Sequence, residues 1–428
     1  MTALPSVSVF QHNAFARYWC ARVLTALGTQ IQVTAIGWQI YDAARDAGQD
    51  VQSASLLLGA VGLVQFLPLV TLSLFGGQAA DRYDRPFIVC LGTVVKAALA
   101  AALVGTSMLP AHHLIPIVFA ITACTGAANA FMPAAQTALL PMLVPRDVLP
   151  RAIAWGSLGF QSAVIIGPVL GGLLYGLGAQ AAYLTTYVCF ALSAALFFSL
   201  KPPRQPRNDT QSAIALIAEG LNFVRNNKIV LGAISLDLVV VMIAGAVALL
   251  PVFARDILHA GPLELGLLRS AMGAGAAAIA LLIAIQPLRE NVGRWMFGAT
   301  ITFGLATIVF GLSTSIWLTC AALFVAGGVD MVSVYVRQNL IQLNTPDNMR
   351  GRVGAVSYVF VSASNELGDF EAGLMARLFG PVIAVALGGG VAVGASLLWM
   401  RLFPALAKAD GFEPMIERED TTAKVASG

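Results

Sequence analysis

The feature that most constrains this chain is a succession of apolar blocks, each about 20 residues long or longer. A helix of that length crosses the roughly 30 Å hydrocarbon core of a bilayer. Only 11% of the residues are charged, whereas about a quarter are charged in a soluble domain. The blocks are continuous and lack the two-residue alternation of a membrane β-barrel. The sequence therefore predicts an all-α integral membrane protein.

The apolar blocks divide into two sets of six. The predicted spans are 17–40, 53–79, 87–109, 114–142, 152–177, 180–200, 229–253, 264–286, 295–314, 316–343, 353–378 and 381–403. The predicted domains are an N-terminal six-helix bundle (1–200), a cytoplasmic linker with a short amphipathic helix (201–228), a C-terminal six-helix bundle (229–404) and a disordered cytoplasmic tail (405–428).

Basic residues concentrate in alternate loops. With the N-terminus inside, the cytoplasmic segments hold most of the Arg and Lys, and the outer loops hold little beyond Arg45 and Arg255. This is the positive-inside pattern. We therefore expect both termini in the cytoplasm and a location in a bacterial inner membrane. The N-terminal residues do not have the pattern of a removable signal peptide.

Charges of both signs cluster in the loop between spans 2 and 3, which reads FGGQAADRYDRP from Phe75 to Pro86. Two other loops, one in each half of the chain, have similar sequences. After spans 4 and 10, a proline stands six residues before an arginine, Pro145 before Arg151 and Pro346 before Arg352. The equivalent positions predict two similar six-helix repeats in parallel orientation.

The charged loop resembles the loop 2–3 signature of the major facilitator superfamily, roughly G-x-L-A-D-R-x-G-R-[RK], with departures at Ala79, Asp84 and Pro86. Span 5 contains GPVLGG at 167–172, which is similar to the antiporter signature G-P-x-x-G-G. The run 344–353 is similar to the branch that contains enterobactin exporters and macrolide-type efflux proteins. The resemblance covers residues 15 to 404 and implies a twelve-helix major facilitator fold in two pseudo-symmetric bundles.

The resemblance also implies a cytoplasmic gate, in which Asp81 at the end of span 2 faces the start of span 11. A carboxylate gains free energy near the positive end of a helix, and Arg350 or Arg352 would add a charge pair. The alternative is an ordinary turn whose arginines stay in water. The gate residues are Gly77, Asp81, Arg82, Arg85, Arg350 and Arg352, and the antiporter motif consists of Gly167, Pro168, Gly171 and Gly172. In the antiporter motif, the glycines allow close packing of helices whether or not the motif also has a role in antiport.

Ionisable residues inside spans are costly and indicate function by default. The N-terminal half has Arg22 and Lys96, both nearer the cytoplasmic side, and the C-terminal half is richer. Proton coupling or substrate binding is predicted at Asp237, Asp330, Arg337, Glu366 and Asp369. Asp330 and Arg337 are seven residues apart and Glu366 and Asp369 three apart, so each pair shares a helix face. The alternative is a static ion pair that fixes the packing of spans 10 and 11.

Neutral polar residues in the spans are candidates for contact with substrate or, equally, for hydrogen bonds between helices. They are Gln32, Gln39, Asn129, Gln136 and Gln161. One departure weakens the case for proton coupling, because Thr122 stands where many proton-coupled drug antiporters have an arginine.

Other classes of function lack their sequence features. There is no phosphate-binding loop of the G-x-x-x-x-G-K-[ST] type and no catalytic His/Cys grouping, so we expect neither ATP hydrolysis nor an enzyme. We expect no cofactor, no metal, even at adjacent His112 and His113, and no nucleic-acid partner. The five cysteines lie in apolar segments without metal-site spacing.

The sequence thus predicts a monomeric exporter in the lipid bilayer. It would move a small organic solute, a siderophore or a hydrophobic drug-like compound, by alternating access with proton antiport. A proton-linked importer or uniporter of a small metabolite on the same fold is the first alternative. A non-transporting membrane receptor or enzyme is the second.

Overall fold

The structure is a computed structural model that describes residues 9–106, 109–145, 147–200, 213–288, 290–346 and 349–411. Every regular element in these ranges is helical. The α-helices are α1 (Asn13–Asp46), α2 (Val51–Arg82), α3 (Arg85–Thr106), α4 (Ala111–Leu139), α5 (Leu149–Gly176), α6 (Ala179–Phe198), α7 (Ala213–Asn226), α8 (Lys228–Ala244), α9 (Leu250–Val252), α10 (Pro262–Ile285), α11 (Val292–Leu312), α12 (Ile316–Leu343), α13 (Arg350–Phe379), α14 (Pro381–Leu402) and α15 (Pro404–Ala407).

Short helical turns occur beside the long helices. They are 3₁₀ turns at Val9–Gln11, Leu140–Met142 and Ala246–Leu249 and a π-helical turn at Phe253–Ile257. The predicted amphipathic helix of the linker is α7, whereas 201–212 lies outside the described residues. The polar tail was expected to be disordered from residue 405, but α15 extends to Ala407 and Leu406 is fully buried. Residues 412–428 of the tail lie outside the described part.

Within the described ranges, ten helices are long and apolar enough to cross a membrane. They correspond to predicted spans 2 to 10 and 12. The helices at predicted spans 1 and 11, α1 and α13, are not among the ten. Both are long enough, but α1 carries Gln32 and Gln39, and α13 carries Glu366, Asp369 and Glu371. The chain is therefore a multi-pass helical membrane protein.

Contacts between Cα atoms group the chain into two compact units. The first unit contains the chain up to Ala213 together with Leu250–Ser270. In it, α1 packs on α5 and α6, α2 packs on α4, and α3 packs on α4 and α6. Helices α2 and α4 are close enough that a Cβ on Gly76 or Gly126 would overlap a backbone carbonyl of the other helix. Small residues allow membrane helices to gain such dispersion contacts.

The second unit contains Ile214–Leu249 and Ala271–Gly428. Here α8 packs on α13 and α14, and α11 packs on α12 and α14. The linker helix α7 belongs to this unit and lies on the start of α13, where a Cβ on Gly220 would lie 2.9 Å from the carbonyl oxygen of Arg352. Val224 of α7 is buried in an apolar cluster with Val353 and Val356 of α13.

Candidate functional site

A charged cavity lies inside the second unit. Asp237 on α8 and Asp330 and Arg337 on α12 line a cavity of about 140 Å³. The Arg337 Nη1 atom lies 2.7 Å from Asp237 Oδ2, and the two side chains are only 3% and 5% exposed. We call these three residues the cavity cluster. The separation of seven residues between Asp330 and Arg337 agrees with their lining one cavity from one helix.

The rest of the cavity wall is largely apolar. Its larger side chains come from α10, α11, α12 and α13 and include Met272, Phe303, Phe310, Leu323 and Val361. Asn365 of α13 contributes a polar amide to the wall. The Nε donor of Arg337 is buried and has no hydrogen-bond partner among the described residues. The cluster thus offers a solute an apolar surface, one guanidinium and two carboxylates.

The two acids predicted on α13 lie elsewhere. Glu366 and Asp369 are partly buried, and neither lines the cavity, although their neighbour Asn365 does. Between them, Gly368 faces α8, where a Cβ would lie 2.8 Å from the carbonyl oxygen of Met242. The structure therefore brings together three of the five ionisable residues predicted for coupling. A role for Glu366 and Asp369 stays a prediction.

The predicted neutral polar residues are in the first unit. Gln32 and Gln39 are both 5% exposed, and Gln39 Oε1 accepts a hydrogen bond from the Tyr183 hydroxyl of α6. Gln39 thus makes the hydrogen bond between helices that the sequence left as an alternative. The other three residues, on α4 and α5, are half-buried: Asn129, Gln136 and Gln161.

The predicted cytoplasmic gate is described in part. The end of α2 contains Gly77, Asp81 and Arg82, and α13 begins at Arg350. The contacts and burial of these four residues lie outside the described part.

Two gate arginines have described contacts. Arg85 donates to the carbonyl oxygen of Ala138 at 3.3 Å. Arg352 forms an ion pair with Glu219 of the linker helix α7. The partner predicted for Arg352 was Asp81, in the other half of the chain, and Glu219 was not predicted.

The antiporter motif on α5 packs tightly against two helices. A Cβ on Gly167 would lie 2.5 Å from Gln30 Cβ of α1, and one on Gly171 would lie 3.1 Å from Ile31 Cα. On the next face, a Cβ on Gly172 would overlap the carbonyl oxygen of Pro262 at the start of α10. The α10 residue Gly266 packs equally closely on Pro168. These contacts explain the glycines by helix packing.

A second charged group joins the end of α1 to the segment after α9, within the first unit. Arg255 Nη1 lies 2.6 Å from Asp42 Oδ1, and Arg255 Nη2 lies 2.7 Å from Asp46 Oδ1. Arg45 Nη2 lies 3.1 Å from Asp256 Oδ1, and the Tyr41 hydroxyl donates to the other oxygen of Asp256. We call these six residues the Arg255 network.

This network was not predicted from the sequence, although the sequence contains a signal for it. Arg45 and Arg255 were the exceptions to the positive-inside pattern, and each forms an ion pair here with a carboxylate for which no prediction was made from the sequence. Asp42 lies beyond residue 40, where predicted span 1 ends. Burial raises the pKa of the Asp42 carboxyl and Asp46 adds to that effect, whereas Arg255 opposes it.

Solved structures with a similar fold cover nearly the whole chain. The fold is similar to that of a POT family transporter in complex with 5-aminolevulinic acid, with a TM-score of 0.74, 12% identity and coverage of 95% of this chain and 99% of that chain. It is also similar to a D-xylose-proton symporter, with a TM-score of 0.71, 12% identity and coverage of 94% and 99%. At these identities the likeness shows the fold alone.

The family follows from the sequence match. The model of the transmembrane secretion effectors, a family of the major facilitator superfamily, matches residues 5–418, and the chain belongs to this family. It is 27% identical over 409 residues to the enterobactin exporter EntS of Citrobacter koseri, covering 93% of each chain. It is 29% identical over 413 residues to the multidrug efflux pump Tap of Mycobacterium tuberculosis, covering 91% of this chain and 93% of that one. The protein is a transporter and not an enzyme.

Proposed function

We propose that this protein exports a small organic solute across a bacterial inner membrane by alternating access, with protons moving inward in exchange. The observation that carries the coupling part is the cavity cluster, which holds two carboxylates and one guanidinium. The direction of transport is supported by relatives named as an exporter and an efflux pump. The proposed unit is a monomer with twelve spans in two six-helix bundles and both termini in the cytoplasm, in which α1 and α13 supply the remaining two spans.

Charge counting gives the proposed coupling step. Arg337 and Asp237 neutralise each other at 2.7 Å, which leaves Asp330 as an excess carboxylate in an apolar cavity. An isolated ion is costly in such surroundings, so Asp330 is the group that takes up a proton. When Asp330 releases that proton, its negative charge competes with Asp237 for Arg337. Proton release at Asp330 therefore loosens the ion pair between α8 and α12.

The same cavity limits the class of solute. Its aromatic and aliphatic lining favours an amphipathic compound, and the free Nε donor of Arg337 favours an acceptor on that compound. A siderophore or a hydrophobic drug-like compound has both properties. Relatives named for enterobactin export and multidrug efflux lead to the same two classes.

Alternating access needs contacts that open and close on each side of the membrane. On the predicted outer side, the Arg255 network is suited to this because its ion pairs are partly exposed and can exchange with water. On the cytoplasmic side, we propose that Asp81 engages the start of α13. Arg352 would then exchange its partner Glu219 for Asp81.

The experiment that tests this function uses the purified protein in proteoliposomes with a preset pH gradient. A catecholate siderophore, a macrolide and a lipophilic cation are added in turn, and proton movement is followed together with radiolabelled solute. Asp330→Asn is compared with native protein, and Asp147→Asn serves as the matched control, because Asp147 is exposed in the loop before α5.

We expect one of the solutes to collapse the gradient with native protein and with Asp147→Asn, but not with Asp330→Asn. Solute movement without proton movement in the native protein would show a uniporter and overturn the antiport proposal. Solute that moves in the same direction as the protons, rather than in the opposite direction, would show a proton-linked importer. Proton exchange retained in Asp330→Asn would move the coupling site away from the cavity cluster, towards Glu366 and Asp369.

A further inference from the structure

Among the described residues, Lys96 is the one lysine in the interior of an apolar span, since Lys228 stands at the first residue of another. It is about eleven residues into α3, which at about 1.5 Å per residue is about 16 Å from the start of the helix. That distance is about half of the roughly 30 Å hydrocarbon core. The side chain is 5% exposed, so it does not extend to water at either membrane surface.

The amine of Lys96 has few contacts for a charged group. Its Nζ atom donates one long hydrogen bond, 3.4 Å, to Thr29 Oγ1 of α1. It also lies 5.5 Å from the centre of the Phe190 ring of α6. An ammonium group carries three N–H donors. Only one of them is in this hydrogen bond, and the other contact is with the face of the Phe190 ring. Thr29 donates its own proton to the carbonyl oxygen of Thr25 at 2.8 Å.

The described residues of the first unit provide no counter-ion inside its spans. All six acidic residues of positions 1–200 lie at helix ends or in loops: Asp42, Asp46, Asp50, Asp81, Asp84 and Asp147. In Leu250–Ser270, Asp256 belongs to the Arg255 network and Glu264 accepts from the backbone N–H of Gly261. The remaining acid of this unit, Asp209, is in the linker at 201–212, outside the described residues. A protonated Lys96 would therefore be a buried cation without a carboxylate partner among the described residues, which is unfavourable.

The other ionisable side chains near Lys96 bring no negative charge. On α1, Arg22 is two turns before Thr29 and adds a like charge, with Tyr18 beside it at 3.5 Å. On α6, Cys189 is next to Phe190, and Tyr183 and Tyr187 are further along the helix. Helix α4, which also packs on α3, has only His112 and His113 at its start and Cys124 on an exposed face. The apolar part of α2, Val51–Ser73, has no ionisable residue.

A row of polar side chains on α1 leads from its first turns to Lys96. Tyr18, Arg22, Thr25 and Thr29 follow each other at intervals of three or four residues, so they share one face of the helix. Opposite them on α6, the Ser193 hydroxyl lies 2.7 Å from the Thr25 hydroxyl and donates to the carbonyl oxygen of Ala21. A separation of the helices along this face would give water a polar route to Lys96.

We infer that Lys96 is a second proton-binding group of the transporter, separate from the cavity cluster. Its amine binds a proton when the centre of the first unit is hydrated. When α1, α3 and α6 close around it, as in this structure, the ammonium N–H bond breaks and the proton passes to water, leaving a neutral amine. The proton-binding claim stands on the surroundings of Lys96, and its contribution to transport rests on the proposed antiport.

The direct test is the protonation state of Lys96 in the full-length protein. The chain has five lysines, Lys96, Lys201, Lys228, Lys408 and Lys424, so protein labelled with ¹⁵Nζ-lysine gives a simple nitrogen spectrum in lipid nanodiscs. At mildly alkaline pH, where lysines exposed to water keep their proton, we expect one neutral amine signal, absent in Lys96→Met, and ammonium signals from the other four. An ammonium signal from Lys96, including one that shifts on addition of chloride or solute, would falsify the inference and indicate an anion-binding lysine.

The transport test asks whether Lys96 contributes a proton to the cycle. Lys96→Gln removes the titrating amine, and we expect fewer protons per solute with solute transport retained. Lys96→Arg holds a permanent charge, since arginine keeps its proton in proteins, and we expect turnover to fall about tenfold. The matched control is Lys228→Gln at the exposed start of α8, which should leave both quantities unchanged.

The two proposals fail separately. If Lys96→Gln keeps the native proton-to-solute ratio while Asp330→Asn abolishes exchange, Lys96 is not part of the cycle and the antiport proposal stands. If no proton moves with the native protein, the antiport proposal fails, and the nitrogen spectrum still decides whether Lys96 is a neutral amine in the closed unit.

Discussion

The cavity cluster and the Arg255 network use the same two residue types in opposite surroundings. The Arg337–Asp237 pair is 3% and 5% exposed, whereas the five charged side chains of the Arg255 network are between 21% and 65% exposed. A buried ion pair is difficult to break, because separation leaves an uncompensated charge away from water. A partly exposed pair can exchange its partner for water with little change in free energy. The first is suited to respond to a proton, and the second to open and close.

The largest expected effect comes from breaking the buried pair. Arg337→Met leaves Asp237 without its cation, and we expect the free energy of unfolding to fall by about 3–5 kcal/mol. Denaturant unfolding of the protein in detergent micelles measures this loss. The double variant Asp237→Asn with Arg337→Met should recover most of it, because neither charge then remains unpaired. A loss as large in the double variant as in the single one would show that packing, not charge, sets the effect.

A smaller effect is expected for Arg255→Gln. This change removes the partner of both Asp42 and Asp46 and a hydrogen bond to the Asp42 carbonyl oxygen. Because the pairs are partly exposed, we expect a loss of about 1–2 kcal/mol. Arg45→Gln, which loses its one carboxylate, should have a smaller effect in the same unfolding assay. A loss for Arg255→Gln as large as that for Arg337→Met would remove the distinction between the two sites.

Salt should separate the two sites further. Raising the ionic strength to about 1 M shortens the Debye length to about 3 Å and screens exposed charges, while buried pairs are affected little. The stability difference between native protein and Arg255→Gln should therefore shrink at high salt. The difference between native protein and Arg337→Met should remain. Equal salt dependence of the two differences would mean that water reaches both sites to the same extent.

The smallest expected effect is that of Asp46→Asn. Asp46 is 65% exposed, and Asp42 remains to pair with Arg255. We expect a change of at most about 0.5 kcal/mol, within the range for exposed pairs. Asp42→Asn, at a side chain that is 36% exposed, is the matched comparison in the same assay. A larger loss from Asp46→Asn than from Asp42→Asn would contradict the view that exposure determines the strength of these pairs.

Much of the fold could be predicted from sequence, because length and hydropathy alone determine which helices can cross a bilayer. The ten apolar helices coincide with predicted spans, and the superfamily follows from the motifs at 77–85 and 167–172. Pairing between distant residues could not be predicted in this way. Asp237 and Arg337 were both selected as ionisable residues inside spans, but only the packing of α8 and α12 shows that they meet.

The acids of α13 show the limit of reasoning from helical spacing. Glu366 and Asp369 share a face of one helix, but spacing does not determine what that face contacts. In the structure it is Asn365 that reaches the cavity. The Arg255 network was missed for a different reason. Its three carboxylates lie near helix ends, where charges are common. Only Arg45 and Arg255, the two arginines on the predicted outer side, indicated that these carboxylates have partners.

The attachment of α7 to α13 has a consequence for dividing this protein into separately expressed halves. Because Glu219 pairs with Arg352 and Gly220 lies against the backbone of α13, the linker helix folds as part of the second unit. A chain break placed after α7 would give the second fragment an uncovered apolar surface at Val353 and Val356. A break before Ala213 keeps that surface covered, so two co-expressed fragments divided there are the pair that should reassemble.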